Sequence, residues 1–191
     1  MPHIATAVVC ILSVVCIYVA RIVELRARRD TIAGQIRESA TLRAFVLIGT
    51  FMCIGSIAEF FWVGPPFSPS LFAAGWALAV ASFWLRRTSI RALGKFWSLH
   101  VEIRSVHELV LSGRYRWMRH PTYLSMVLEL ASFALLLQSR VTSAGTFALF
   151  VPTRAWRIRI EEQALVEKFG PAYTEYQRTT PALFPRLLRG P

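Results

Sequence analysis

Five apolar runs alternate with polar, arginine-bearing stretches along the chain. Residues 4–20 and 45–63 are nearly continuous hydrophobic segments, the second interrupted only by Glu59. Each reaches the roughly 17 residues that a helix needs to cross a bilayer. Residues 71–85 form a third, shorter run stopped by Arg86 and Arg87, and residues 123–137 form a fourth with Glu129 inside it. The fifth run, 141–151, is too short, because about 11 residues at 1.5 Å each cannot cross a core of ~30 Å. A fifth span must therefore continue past Pro152 and Trp156, drawing Arg154 and Arg157 toward the interface.

The connecting stretches agree with this division. Residues 64–70, Gly-Pro-Pro-Phe-Ser-Pro-Ser, predict a tight turn, since proline removes donors and forces extended neighbours. Residues 21–43 are polar and compatible with a cytoplasmic extension of the first helix, with a turn near Gly34. Residues 88–112 mix Ile90, Leu93, Phe96, Trp97 and Leu99 with charges, the pattern of an interfacial segment. After Arg154, Ile158, Leu165 and Phe169 mark an amphipathic helix ended by Gly170-Pro171. Tyr173 and Tyr176 then fall on a shorter helix that Pro181 and Pro185 terminate.

The fold expected is an all-α integral membrane protein with about five transmembrane helices, N-terminus outside and C-terminus cytoplasmic. It would be one membrane domain over residues 1–191, with three spans in 1–87 and the functional part, including spans four and five, in 88–191.

Composition supports the membrane reading. Hydrophobic residues make up 54% of the chain and its mean hydropathy is +0.45, above the roughly 45–50% apolar content of soluble domains. The net charge of +11 would suit nucleic acid, but 21 of the 22 lysines and arginines fall in three blocks, 21–43, 86–119 and 154–189. Loops of that kind face the cytoplasm and meet anionic lipid headgroups, so membrane lipids, not nucleic acid, are the expected partners. Cys10, Cys16 and Cys53 sit within apolar runs, odd in number and without ligand spacing, so no metal site is expected. Only His3 precedes the first run and Arg21 follows it, the reverse of a secretory signal, so the first span reads as retained.

Two polar stretches carry candidate chemistry. Gly113-Arg-Tyr-Arg-Trp-Met-Arg-His-Pro-Thr-Tyr123 closes a polar loop and opens the fourth span; Arg157 and Glu161, four residues apart, share one helix face downstream. Meeting at the bilayer surface, they would form one polar pocket. Each residue also has a plainer reading. Arg157 and Glu161 could be a surface pair worth about 0.2–0.5 kcal/mol. His120 could simply precede a helix that starts at Pro121. His100 and His107 could be interfacial, and Tyr115, Trp117 and Tyr123 could form an aromatic belt. Glu129, ionisable within a span, is functional by default but could equally pair with a neighbouring span.

The ordered set His107-Glu108-Leu109-Val110, Gly113-x-Tyr115, Arg119-His120-Pro121-Thr122-Tyr123, Arg157-x-x-x-Glu161-Glu162, Phe169-Gly170, Tyr173 and Tyr176 resembles the isoprenylcysteine carboxyl methyltransferase family. That family belongs to a wider group of small membrane methyltransferases that includes the phospholipid N-methyltransferases. The resemblance implies an enzyme using S-adenosylmethionine at the cytoplasmic side, with a lipophilic or prenylated substrate entering from the bilayer. Carried over by position, it implies cofactor contacts at His107, Glu108, Leu109, Val110, Tyr115, His120, Pro121, Thr122, Tyr123 and Glu161, and a further polar contact at His100. Arg157 falls on the substrate-contacting arginine, so Arg157 and Glu161 are the candidate catalytic pair; Glu129, which has no counterpart in the family pattern, is a candidate substrate contact from its place within a span.

The residues themselves suit that chemistry. A sulfonium donor wants an acidic group, an aromatic surface and several hydrogen bonds. Methyl transfer needs in-line placement and exclusion of water rather than a metal. A carboxylate acceptor is already ionised at neutral pH and needs only a cation to hold it, which Arg157 offers. An amine or phenol acceptor would need a proton sink, for which Glu129, Glu162 or a histidine are the candidates. An NADPH-dependent reductase of sterol type, or a non-catalytic protein that senses lipid through its basic face, are the other classes open at this stage.

Overall fold

The computed structural model describes residues 4–26, 35–38, 40–97, 101–103 and 109–184, with the backbone alone for 35–38 and 101–103. Helix α1 spans Ile4–Arg26, α2 Ala40–Val63, α3 Pro69–Leu93, α4 Pro121–Leu137, α5 Val141–Phe169 and α6 Pro171–Thr179. Short 3₁₀ turns cover Gly94–Phe96 and Gly113–Arg116. The expectation of an all-α fold needs one addition: β1, Gln35–Glu38, pairs antiparallel with β2, Val101–Ile103, opposing Gln35 to Ile103 and Ile36 to Glu102. Neither strand carries a period-2 pattern long enough to announce itself.

Helices α1 and α2 are long and apolar enough to cross a membrane, and α4 is a shorter apolar helix. Their exposed faces are hydrophobic, with Leu12, Val19, Leu47, Ile54 and Trp62 turned outward. Helix α3 runs beyond the expected stop at Arg86 because no breaker intervenes before Gly94. At its start, Pro69 occupies the first turn and Ser68 Oγ accepts from Leu71 N at 3.4 Å. Helix α5 continues through Pro152 as one 29-residue helix, about 43 Å long, so its last turns stand clear of a ~30 Å core. Gly170, at φ 54°, ends it, and Pro171 starts α6 at an angle.

The helices meet through small residues. Gly75 on α3 lies against Leu136 of α4, where an added Cβ would come within 2.7 Å of Leu136 Cγ. Ser82, Ser125 and Ser132 are fully buried, and Ser82 Oγ donates to Ser125 O at 2.7 Å. In an apolar medium such close approach and interhelical bonding replace the hydrophobic drive that water would supply. The core between them holds Val14, Ile17, Met52, Phe133, Leu137 and Phe150. Glu59 accepts from the backbone N–H groups of Arg140, Val141 and Thr142 at 2.7–2.9 Å and so caps the start of α5.

Candidate active site

The loop before α4 is fixed from below. Arg119 N and His120 N donate to Pro181 O and Ala182 O, both at 2.9 Å, so the chain following α6 lies alongside the Arg-His-Pro element. Arg119 Nε donates to Glu162 Oε1 at 2.7 Å, His120 Nε2 lies 2.9 Å from the same oxygen, and Gln177 Nε2 donates to Glu162 Oε2 at 3.0 Å. Arg119 also bonds the carbonyls of Gln177 and Thr180, and Tyr176 Oη donates to Tyr115 O. Glu162 thus ties α4, α5 and α6 together.

Burial alone would push the Glu162 carboxyl upward, but the hydrogen bonds and charges of His120 and Arg119 outweigh it and hold the carboxyl at about 2. A carboxyl depressed below its ordinary value stabilises the fold fully above about pH 4.5, and that contribution fades as pH falls toward 2. With 17% of the Glu162 side chain exposed, solvent screening leaves about 1–2 kcal/mol of it. Thermal unfolding from pH 7 to 3 is expected to show the gap between wild type and Glu162→Gln shrinking through this window. A constant gap would contradict the assignment.

Above this knot the predicted site residues converge. Tyr123 Oη donates to Glu161 Oε2 at 2.6 Å and accepts from Arg157 Nε at 2.9 Å, so one phenol links the two side chains. Arg157, buried within α5, also donates through Nη1 to Thr41 Oγ1 at 2.7 Å, and its guanidinium lies 5.9 Å from the Phe45 ring centre. His120 Nδ1 is 4.0 Å from Glu161 Oε1, and its ring is 5.5 Å from that of Tyr123.

These groups face a cavity of about 240 Å³ that Leu109, Val110, Tyr115, His120, Thr122, Tyr123, Arg157 and Glu161 help to line. Pro121, fully buried, begins α4 and sets the direction in which Thr122 and Tyr123 project. Tyr115 and Tyr173 have phenols raised well above their ordinary value, chiefly by burial and then by nearby glutamates. Burial likewise pushes Tyr176 up to about 12. All three therefore stay protonated, each a neutral hydroxyl on an aromatic ring rather than a phenolate.

Apolar side chains also line the cavity, around the Arg21–Glu129 pair. Tyr18, Ile22 and Leu25 of α1 and Leu42, Phe45, Val46 and Gly49 of α2 wall it, with Met126, Leu130 and Phe133 on the opposite side. Both halves of the chain therefore build it. Glu129 reaches it too, about 9 Å along α4 from Tyr123. Its carboxylate is held by Arg21 Nε at 2.6 Å, and Arg21 Nη2 also donates to Ser82 Oγ at 3.1 Å. Of the two readings left open for Glu129, pairing with a neighbouring helix is the one its geometry takes. His100, His107 and Glu108 lie outside the described residues.

Sequence reasoning did not single out Thr41, Phe45, Tyr18 or Arg21, which lie far from the two polar stretches and carry no local signal. Arg119 and Glu162 were named in the ordered motif, and Glu162 as a candidate proton sink, but their pairing with each other was not foreseen.

A helical fold with apolar, outward-facing helices surrounds a cavity lined by both ionic and hydrophobic side chains. Residues 75–167 match the model of the isoprenylcysteine carboxyl methyltransferase family. The chain is 35% identical over 104 residues to protein-S-isoprenylcysteine O-methyltransferase B of Arabidopsis thaliana, covering 53% of this chain and 52% of the relative. It is 33% identical over 130 residues to the cobalt-zinc-cadmium resistance protein CzcN of Cupriavidus metallidurans, covering 66% and 54%. Its fold matches a solved structure of the eukaryotic intramembrane Ras methyltransferase ICMT with a TM-score of 0.63 at 28% identity, over 70% of this chain and 50% of that one. Over residues 75–167 and in its fold this chain is thus similar to isoprenylcysteine carboxyl methyltransferases, and two of its helices are long and apolar enough to cross a membrane. It spans about half the length of the curated relatives it matches.

Proposed function

We propose that the protein is a methyltransferase that moves a methyl group from S-adenosylmethionine to the carboxylate of a lipophilic acceptor, of the isoprenylcysteine type named in several relatives. One observation carries this reading: the Arg157–Tyr123–Glu161 chain lines the same cavity as apolar side chains of α1, α2 and α4, with the Phe45 ring beside both Arg157 and Tyr123. In the membrane the chain makes five passes, N-terminus outside, and the Glu161 end of the cavity opens to the cytoplasm beside the three basic blocks.

The donor set suits the cofactor. Glu161 turns a carboxylate toward the cavity, where it can hold a cation, and Tyr115, Tyr173 and Tyr176 give aromatic walls, the Tyr176 hydroxyl being committed to the Tyr115 carbonyl. Leu109, Val110, His120, Pro121 and Thr122 complete that end, and His100, His107 and Glu108 belong to it by position in the sequence. S-adenosylmethionine, when bound, supplies an electrophilic methyl group on a sulfonium. The chain's own part is to position, desolvate and hold charge. Arg157 holds the acceptor carboxylate, and the walls from α1 and α2 receive its hydrocarbon tail.

Two features weigh against an amine or phenol acceptor. Glu129 is already engaged by Arg21, and Glu162, held at about 2 by His120 and Arg119, does not take up a proton readily near neutral pH. A reductase would need cations directed at a 2′-phosphate, whereas Arg21 and Arg119 beside the cavity are tied to Glu129 and Glu162. The test incubates the protein with labelled S-adenosylmethionine and, separately, farnesylcysteine, a free isoprenoid acid and phosphatidylethanolamine. The expected product is a base-labile methyl ester on a carboxylate. Label recovered only in a base-stable N-methyl product would overturn the acceptor assignment.

A further inference from the structure

We propose a second lipid site, separate from the cavity: a groove along α3, beside the end of α1, that holds one anionic phospholipid. The groove encloses about 640 Å³ and is lined by Trp76, Val80, Phe83 and Trp84, then by Arg87 and Arg91. These positions form one stripe of α3 that is apolar for two turns and becomes basic toward the helix end. Fifteen residues from Trp76 to Arg91 span about 22 Å, the scale of one acyl chain with its headgroup.

Several features make the stripe more than a greasy helix face. Val80 and Trp84 are 61% and 55% exposed, so both keep open surface toward the groove. Trp76 is fixed by donating through Nε1 to Ser13 Oγ of α1 at 3.2 Å, which sets one wall. Arg114 stacks on Trp84 at 4.0 Å and brings a third cation to the basic end. Glu24, the sole carboxylate among the described residues that line the groove, is already paired with Arg21 and lies 3.3 Å from Arg86 Nε, so it does not oppose an incoming anion.

Helix α3 has 25 residues, about 37 Å, and so overruns a ~30 Å hydrocarbon core; its last turns lie at headgroup depth. Arginine at that depth above an aromatic and apolar slot complements a phosphodiester joined to an acyl chain.

The test measures lipid binding to the full chain by native mass spectrometry, with phosphatidylglycerol, phosphatidylcholine of the same chains, and soluble glycerol phosphate. Wild type is expected to retain one phosphatidylglycerol in preference to phosphatidylcholine, with no response to glycerol phosphate. Arg87→Gln with Arg91→Gln should weaken the phosphatidylglycerol complex by on the order of tenfold to thirtyfold, as two headgroup arginines predict. Arg159→Gln with Arg178→Gln removes the same charge elsewhere and should change it less than twofold. Val80→Trp, which fills the slot, should abolish the complex while leaving the unfolding temperature in phosphatidylcholine within a few degrees. Equal weakening by both double variants, or full binding by Val80→Trp, overturns the site; if the arginine variant does not fold, the Val80→Trp result alone decides.

Discussion

Arg157→Ala is expected to lower kcat/KM for a lipophilic carboxylate by on the order of 10³-fold, because removing one partner of a buried, hydrogen-bonded charge pair costs roughly 2–5 kcal/mol. The side chain is buried, held by Tyr123 and Thr41, and backed by the Phe45 ring, so its position is set before any acceptor arrives. Arg157→Lys keeps the charge but loses the planar fork, and should recover only part of the rate. Cofactor affinity, measured by isothermal titration, should change only a few-fold in either variant. That split separates an acceptor-holding role from general damage to the cavity. A protein that merely senses lipid would show no activity to lose, and activity within twofold of wild type in Arg157→Ala would end the acceptor role.

Much of this arrangement was legible in the sequence, for physical reasons that differ between parts. The long apolar runs expose helices because a bilayer imposes length and composition together, and the shortfall of residues 141–151 correctly required α5 to continue past Pro152. The meeting of Tyr123 with Glu161 was foreseeable from two ordered polar stretches that each mark a helix end near one surface. The Thr41 and Phe45 contacts were not, because nothing in the local pattern of α2 says which face meets α5. Glu129 shows the same limit, since it is conspicuous in its apolar run but its pairing with Arg21, 108 positions away, is a matter of helix packing. Glu59 also read as an anomaly in its span, and its partners are three backbone N–H groups that no side-chain pattern reveals. The β1–β2 ribbon escaped for want of length.

The second large effect is expected at Glu161, and it falls on the other reactant. Glu161→Gln should raise the dissociation constant for S-adenosylmethionine by on the order of 10²-fold, the loss expected when a partly buried charge-assisted contact becomes neutral. Glutamine is nearly isosteric and can still accept from Tyr123, so the geometry at 2.6 Å is preserved while the charge is removed. The decisive comparison is with S-adenosylhomocysteine, whose thioether carries no positive charge. If Glu161 steadies the sulfonium, the substitution should weaken S-adenosylmethionine far more than the thioether. Equal losses would move its role to the ammonium or ribose end of the cofactor. Tyr123→Phe should cost roughly tenfold, through the loss of the phenol that orients Glu161. Because the phenol acts through the carboxylate, the double variant should be little worse than Glu161→Gln alone, a coupling on the order of 1 kcal/mol. Additive losses would mean that the two residues touch the cofactor independently, and the bridge between Arg157 and Glu161 would then have no part in aligning donor with acceptor.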